Sequence, residues 1–231
     1  MKRCTVPSLA LLLIAGNAAA LDTRYTDIRL GIGVVETPDK AKVEYDAGGY
    51  SAAPSSRGDV GLEDHTGGRI RVGLVHGRTT GWGGWFAGTG IELTGQRLEL
   101  VGAGDDADFD NTSSSSVRAY LEGGYAYAFT KRVHLEVGPT VGAGGSSITW
   151  IDQQDDGRWT NESGSGISLA IGGRLALYAR VTEHLVLGLS GGVERVADRA
   201  EIEFKETSEG KADVELRHTG AFATFETGWR F

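Results

Sequence analysis

Apolar and polar residues alternate through most of this chain, and this period of two restricts the fold more than any other feature. From Ile167 to Val181 the odd positions hold Ile, Leu, Ile, Gly, Leu, Leu, Ala and Val, and the even positions hold Ser, Ala, Gly, Arg, Ala, Tyr and Arg. Residues 117–129, 133–142 and 221–231 follow the same pattern. Successive side chains of a β-strand point to opposite faces, so the pattern predicts strands with one apolar and one polar face. We therefore predict an all-β fold.

The alternating segments number eight, and the connections between them alternate in length. The predicted strands cover about residues 27–37, 67–78, 82–101, 116–129, 133–151, 164–181, 185–204 and 214–231. Short turns alternate with long polar loops, the turns near residues 79–81, 130–132 and 182–184 and the loops at roughly 38–66, 102–115, 152–163 and 205–213. An antiparallel up-and-down meander with short turns at one end and long loops at the other is typical of transmembrane β-barrels.

Glycine usage argues against helices. The chain holds 36 glycines, spread along its length, and each one inside a helix costs about 1 kcal/mol relative to alanine. In sheets, glycine permits curvature and close packing. No hydrophilic linker divides residues 21–231, so we predict one barrel domain there.

Residues 1–20 have the features of a secretory signal peptide. A charged start at Lys2 and Arg3 precedes an apolar core and three alanines that fit a cleavage site. The only cysteine, Cys4, also lies in this segment. A mature chain from Leu21 would carry 21 basic and 31 acidic residues, a net charge of −10. Such a charge excludes the basic surface that nucleic-acid binding requires.

Aromatic residues concentrate near the short-turn end of the predicted strands. Nine of them lie there: Tyr25, Trp82, Trp85, Phe86, Tyr127, Phe129, Tyr178, Trp229 and Phe231. Tryptophan and tyrosine suit the membrane–water interface because they combine an apolar body with a polar tip. We interpret the cluster as the aromatic girdle of a membrane barrel; core packing in a soluble sandwich is the alternative.

The chain ends in mid-pattern on an aromatic residue, within the segment GAFATFETGWRF. Phe225, Trp229 and Phe231 share one face of the predicted last strand. Together with the eight-strand topology, this ending resembles the eight-stranded outer-membrane barrels of Gram-negative bacteria, of the OmpA, OmpX and OmpW type. The resemblance implies a bacterial outer-membrane protein in contact with lipid and lipopolysaccharide. It also implies that the barrel-assembly machinery reads the three aromatic residues as an assembly signal.

Ten charged residues lie on the polar face of the predicted strands. They are Arg29, Arg71, Glu92, Arg118, Glu122, Glu136, Arg174, Glu194, Glu226 and Arg230. Five acids and five bases can neutralise one another in the interior of a narrow barrel. We interpret them as a plug of salt bridges that holds the barrel; a gated path for small solutes, in which the pairs rearrange, is the alternative.

Four local segments carry further expectations. Pro139, inside the fifth strand, removes a ladder hydrogen bond, which predicts a bulge or defect. The segment DDADFDN at 105–111 lacks the glycine and glutamate of a calcium loop, so we expect a solvated acidic loop without a metal. The four serines at 113–116 are expected to be flexible.

The charged end of the seventh strand, 194–204, is expected to stand above the membrane and to offer a surface for partner proteins.

These features favour an integral outer-membrane protein with a mainly structural or surface-interaction role, a plugged polar lumen, and external loops that meet an extracellular protein or another surface ligand. The alternative is a narrow channel for small or apolar solutes, which resemblance to the OmpW type implies. A soluble secreted barrel of lipocalin type gives no account of the terminal aromatic residue or the girdle. We expect no enzymatic activity and no cofactor, because the sequence holds no local signature such as G-x-S-x-G or H-E-x-x-H.

Overall fold

The computed structural model describes residues 22–38, 40–47, 57–62, 66–81, 83–98, 112–153, 159–204 and 210–231. Within these ranges the chain forms ten β-strands: β1 (Thr23–Glu36), β2 (Lys40–Ala47), β3 (Arg57–Gly61), β4 (Thr66–Thr79), β5 (Gly84–Arg97), β6 (Ser113–Ala128), β7 (Val133–Gln153), β8 (Trp159–Arg180), β9 (Leu185–Phe204) and β10 (Gly210–Arg230). Among the described residues, no helix is long and apolar enough to cross a membrane. The predicted signal peptide and the acidic segment 105–111 lie outside the described residues.

Eight of the strands close into a barrel. β1, β4, β5, β6, β7, β8, β9 and β10 pair in that order as antiparallel neighbours, and β10 pairs with β1 to complete the ring. The prediction of an eight-stranded antiparallel up-and-down barrel is therefore confirmed. Because the ring is closed, its strands find hydrogen-bonding neighbours on both sides, which a sheet with free edges cannot provide.

The register of the strand pairs fixes the dimensions of the barrel. A path across the strands that starts at Arg24 returns to β1 at Val34 after passing through Arg78, Trp85, Tyr125, Val137, Leu175, Gly191 and Ala223. The ring thus closes 10 residues further along β1, which is its shear number. With a rise of ~3.3 Å per residue and ~4.8 Å between strands, eight strands of this shear tilt by about 40° and have a backbone radius of about 8 Å. Such a lumen is filled by side chains.

The first long connection contains a hairpin where the sequence pattern predicted only a polar loop over residues 38–66. β2 and β3 pair with each other, and β2 also pairs with β10 over Gly210–Leu216. β10 extends beyond the end of β1 at Glu36, and its backbone groups need a partner there, which β2 supplies. The segment KAKVEYDA of β2 does alternate charged and apolar residues, so the signal was present but short.

β6 begins at Ser113, so the expectation of a flexible serine segment was wrong. The four serines pair with β5 on one side and with β7 on the other. Ser114 and Ser116 are buried inside the barrel, and Ser116 Oγ lies 2.6 Å from Thr94 Oγ1. Four identical polar residues show no alternation, which is why the pattern did not reveal this part of the strand.

The strand ladder is interrupted at Pro139, as the missing N–H of proline leads one to expect. Glu122 pairs with Thr140 and Tyr125 pairs with Val137, but the two positions between them on β6 have no partner on β7. The register is the same on both sides of the interruption, so no residue has been inserted. The feature is a local defect of the ladder and not a bulge.

Candidate functional site

The ten charged residues that the sequence places on the polar face of the strands all point into the barrel. Each of them is at most 8% exposed. Asp27, Arg69 and Asp198 lie among them and were missed by the sequence analysis. Each of the three lies two or four positions from one of the ten charged residues on the same strand, and so on the same face. The alternation of the sequence could therefore have revealed them. The described interior therefore holds six arginines and seven carboxylates at these thirteen positions.

The opposite face of the same strands is apolar and exposed. Large apolar side chains at alternating positions are 41% or more exposed on all eight strands of the ring, for example Ile32 of β1, Val72 of β4, Ile91 of β5, Leu121 of β6, Val141 of β7, Ile171 of β8, Leu189 of β9 and Phe225 of β10. A protein that folds in water buries such residues and exposes its charges. A closed ring with the reverse arrangement suits hydrocarbon, where the backbone is paired within the protein and the outer band is apolar. The chain is a transmembrane β-barrel of the outer-membrane type.

The group of charges nearest the short-turn end of the barrel is centred on Glu136 of β7. Arg29 of β1 donates from Nη1 and Nη2 to the two Glu136 oxygens at 2.7 and 2.8 Å, and Tyr25 Oη donates to Glu136 Oε1 at 2.6 Å. β1 and β7 are four strands apart in a ring of eight. These bonds therefore connect opposite walls of the lumen.

Two further contacts extend this group. Arg29 Nη2 also donates to Asp27 Oδ2 at 3.0 Å, and Asp27 in turn pairs with Arg230 of the last strand. His134 is buried inside the barrel, with its ring centroid 5.3 Å from that of Tyr178 and 5.1 Å from that of Tyr25. Aromatic rings and ion pairs together thus fill this end of the lumen.

The middle group links alternate strands in a zigzag. Arg174 of β8 donates to Glu122 Oε2 of β6 at 2.6 Å and to Glu226 Oε1 of β10 at 3.0 Å. Arg71 of β4 donates to Glu122 Oε2 at 3.2 Å, and Tyr178 Oη donates to Glu226 Oε2 at 2.6 Å. Each bond between charged partners passes over an intervening strand, so the group ties β4, β6, β8 and β10 to one another across the interior.

The group of charges nearest the long-loop end of the barrel surrounds Glu92 of β5. Arg118 Nη2 donates to Glu92 Oε1 at 2.7 Å, and Arg69 donates to the other oxygen. Arg69 Nη1 also lies 3.2 Å from Glu194 Oε2 on β9. The Arg69 guanidinium stands 4.2 Å from the ring centroid of Phe222, a cation–π contact that accompanies its ion pairs.

Above the charges, at the long-loop end, the polarity of the sheet reverses. A buried apolar cluster fills the inside there and consists of Ala41, Val43, Leu62, Leu98, Ile148, Ala200, Ile202, Ala212, Val214 and Leu216. On the outside of β9 and β10, Lys211 Nζ lies 2.9 Å from Glu201 and 2.8 Å from Glu203, and Arg199 pairs with Asp213. Apolar inside and charged outside is the arrangement of a sheet in water. We call β2, β3 and residues 197–204 and 210–217 the outer extension.

The aromatic residues at the short-turn end divide between the two faces. Trp85, Phe129, Trp229 and Phe231 are exposed on the outside, with Tyr125 beside them. Tyr25, Phe86 and Tyr178 are buried inside, so their assignment to the girdle was wrong. Tyr25, Phe86 and Tyr178 occupy strand positions that point into the lumen. The hydroxyls of Tyr25 and Tyr178 donate to buried carboxylates there. Trp82 lies outside the described residues.

The three residues assigned to an assembly signal lie together on the outer face. Phe225 and Trp229 are each 52% exposed, and Phe231 is 71% exposed. Trp229 stacks on His184 with ring centroids 5.0 Å apart. The Phe231 N–H donates to Thr26 O at 3.0 Å, which holds the end of the chain against β1.

Comparison with known proteins finds likeness only among solved structures. No protein-family model and no curated relative matches the sequence. The fold is similar to that of Ail, the attachment invasion locus protein of Yersinia pestis, in complex with the heparin analogue sucrose octasulfate (12% identity, 90% of this chain and 100% of that chain, TM-score 0.31). It is also similar to the outer membrane protein OprG of Pseudomonas aeruginosa (11%, 90% and 97%, 0.37) and the outer membrane protease OmpT of Escherichia coli (9%, 94% and 100%, 0.39).

Proposed function

We propose that this protein is an integral protein of the bacterial outer membrane with a closed lumen and a structural, surface-interacting role. The ion pair between Arg29 and Glu136, which joins opposite walls of the barrel, carries the proposal. A path for solutes through a lumen of about 8 Å backbone radius would have to pass this pair.

The energetics of buried ion pairs favour a closed state. Separating a buried pair leaves charges without partners, and removing one partner of such a pair typically costs about 3–5 kcal/mol. A continuous aqueous path would require the Glu136, Arg174 and Glu92 groups to open together. The alternative of a narrow channel therefore needs several such pairs to separate at once.

The outer extension provides a surface role. Its apolar cluster holds β2, β9 and β10 together outside the apolar band, and its outer face carries paired charges of both signs. Such a face offers hydrogen-bonding and ionic groups in fixed positions to an extracellular protein, to another surface ligand, or to lipopolysaccharide. This arrangement supports binding by a rigid platform rather than by loops alone.

We further propose that Phe225, Trp229 and Phe231 form the signal that the barrel-assembly machinery reads. Their common exposure on one face of the last strand supports this role. Replacing Phe231 with alanine should slow insertion of newly made protein into the outer membrane, measured by the appearance of the heat-modifiable folded form. Replacing the equally exposed Leu189 with alanine is the control and should leave the rate unchanged.

No catalytic step is part of this proposal. The hydroxyl of Ser168 donates to the carboxylate of Asp198, which places an acid beside a possible nucleophile, but both side chains are buried. A hydrolase needs a nucleophile that reaches its substrate. We expect no hydrolysis of peptides or of lipid A by the purified protein.

Two measurements test the proposed function. Liposomes that contain the folded protein should not swell in solutions of small neutral sugars, and swelling would contradict the closed lumen. Cells that display the protein should attach to epithelial monolayers more than vector controls do, and the variant Arg199→Glu with Lys211→Glu should lose this gain. A matched variant on the opposite rim, Lys131→Glu with Arg132→Glu, should retain it. Equal attachment by vector controls would contradict the surface role.

A further inference from the structure

Two arginines stand directly opposite each other on the lipid-facing side of the short-turn rim. Arg24 of β1 and Arg78 of β4 are partners in the strand register. Both lie on the outward parity of their strands, in line with Ile28 and Leu74. Like charges directly opposite on neighbouring strands destabilise a sheet. This pair therefore needs a compensating anion.

The protein supplies only part of that compensation. Asp22 accepts from Arg78 Nε at 2.8 Å and from Arg78 Nη2 at 2.5 Å. Arg24 has no ion pair among the described residues, although Asp22 is close enough to act on it through space. Two guanidinium groups thus face one carboxylate.

The surroundings of the two arginines place them at the depth of lipid headgroups. Trp85 is the register partner of Arg78 on β5, and Tyr125 is the partner of Trp85 on β6. Both aromatic side chains are about half exposed on the outer face, and His76 lies 5.5 Å from Trp85 between ring centroids. Tryptophan and tyrosine on the outside of a barrel mark the membrane–water interface.

We propose that Arg24 and Arg78 bind the phosphodiester headgroup of an anionic phospholipid in the leaflet on the short-turn side. A guanidinium group donates two parallel hydrogen bonds to phosphate oxygens, which makes arginine the suitable residue. The acyl chains then follow the apolar band below, and Trp85 covers the glycerol region. Because Asp22 already pairs with Arg78, the site suits a phosphodiester with one negative charge.

The rim also provides a matched control. Lys131 and Arg132 are also basic and are exposed, but they lie in the turn after β6, and no tryptophan is their register partner. A general attraction of the basic rim for anionic lipid would involve all four residues equally. A built site would depend on Arg24 and Arg78 alone.

The test counts lipids that stay bound to the folded protein. The protein is reconstituted into bilayers of phosphatidylcholine with a minor share of phosphatidylglycerol, transferred to mild detergent and examined by native mass spectrometry. We expect the wild type to retain phosphatidylglycerol selectively. Arg24→Gln with Arg78→Gln should lower this retention by at least about tenfold, because the loss of even one charge-assisted hydrogen bond corresponds to a factor of about ten. Lys131→Gln with Arg132→Gln should retain as much as the wild type.

Three results would overturn the proposal. They are equal retention by the double variant Arg24→Gln with Arg78→Gln, equal retention of the two lipids by the wild type, and displacement of the lipid by inorganic phosphate, which would indicate a free-anion site. The heat-dependent gel shift verifies that each variant is folded. The single variant Arg24→Lys, which keeps the charge but not the planar fork, should give intermediate retention.

Discussion

Asp27 of the first strand and Arg230 of the last strand form a bidentate ion pair inside the barrel, with Nε–Oδ1 and Nη2–Oδ2 distances of 2.7 and 2.9 Å. The two residues are register partners at the seam where β10 closes on β1. The side chains therefore reinforce, from inside the barrel, the pairing of β10 with β1 that closes the ring.

We predict that Arg230→Gln lowers the free energy of unfolding by about 3 kcal/mol, because it leaves the fully buried Asp27 with one fewer partner. Urea unfolding in detergent, followed by tryptophan fluorescence, measures this. The double variant Asp27→Asn with Arg230→Gln should lose less than the sum of the single variants. Arg217→Gln, which removes an exposed pair with Glu215, should change stability by less than about 1 kcal/mol. Equal effects of Arg230→Gln and Arg217→Gln would contradict the role of the seam.

We predict that Gly188→Ala destabilises the barrel by about 1–3 kcal/mol, the usual range for overpacking. A Cβ at Gly188 would overlap the ring of Tyr178, whose hydroxyl bonds Glu226 in the middle group of charges. Gly173→Ala is the matched control, because a Cβ there meets nothing within 4 Å. If both substitutions have the same effect on the unfolding midpoint, the packing of Tyr178 against β9 is not what requires glycine at 188.

We predict that Glu36→Ala speeds hydrogen exchange at the amide of Ala221. Glu36 Oε2 accepts the Ala221 N–H at 2.7 Å at the point where the partner of β10 changes from β1 to β2. Exchange measured by NMR should rise at Ala221 and stay unchanged at Ala223, which pairs with Val34. Glu36→Gln keeps an acceptor oxygen and should restore protection. Unchanged exchange at Ala221 in the alanine variant would show that the carboxylate does not cap this gap.

We predict that Asp22 titrates below its usual range. The Arg78 guanidinium donates two hydrogen bonds to this carboxylate and lowers its pKa. A lowered pKa in the folded state means that the interaction is fully present above the unfolded pKa and is lost as pH falls through the folded pKa. Carboxyl chemical shifts measured against pH should show the lowered pKa in the wild type and a pKa nearer the ordinary value in Arg78→Gln. The same pKa in both would mean that the pair does not form in solution.

The alternation of the sequence was sufficient for the ring but not for the outer extension. Lipid on one side and a polar lumen on the other impose the period of two along β8. The strand was therefore predicted over residues 164–181, and in the structure it begins five residues earlier, at Trp159, and ends at Arg180. Ser113–Ser116 carry no such contrast, and β2 is short, so both were assigned to loops. The partner of an extended strand is decided by backbone groups that need pairing, and no single segment shows this requirement.

The candidate site followed the same division. Parity placed Arg29, Glu136 and the other charges on the inward face, but the pairing of Arg29 with Glu136 depends on shear, because it brings β1 and β7 to the same height. Shear is a property of all eight pairs together and is absent from any local pattern. Tyr25 and Tyr178 also occupy alternating positions that point inward, but they were assigned to the girdle because they are aromatic. Their hydroxyls pair with buried carboxylates, so residue type alone did not reveal their position.

Single-channel recording tests the closed lumen most directly. The protein, purified in its folded form from outer membranes, is inserted into a planar lipid bilayer under an applied voltage. We predict a bilayer without discrete openings for the wild type, because the Glu136, Arg174 and Glu92 groups all have to open before ions can pass. Reproducible openings of the wild type, with a conductance that changes in Glu122→Gln or Arg174→Gln, would contradict the closed lumen and establish the interior charges as the lining of a channel.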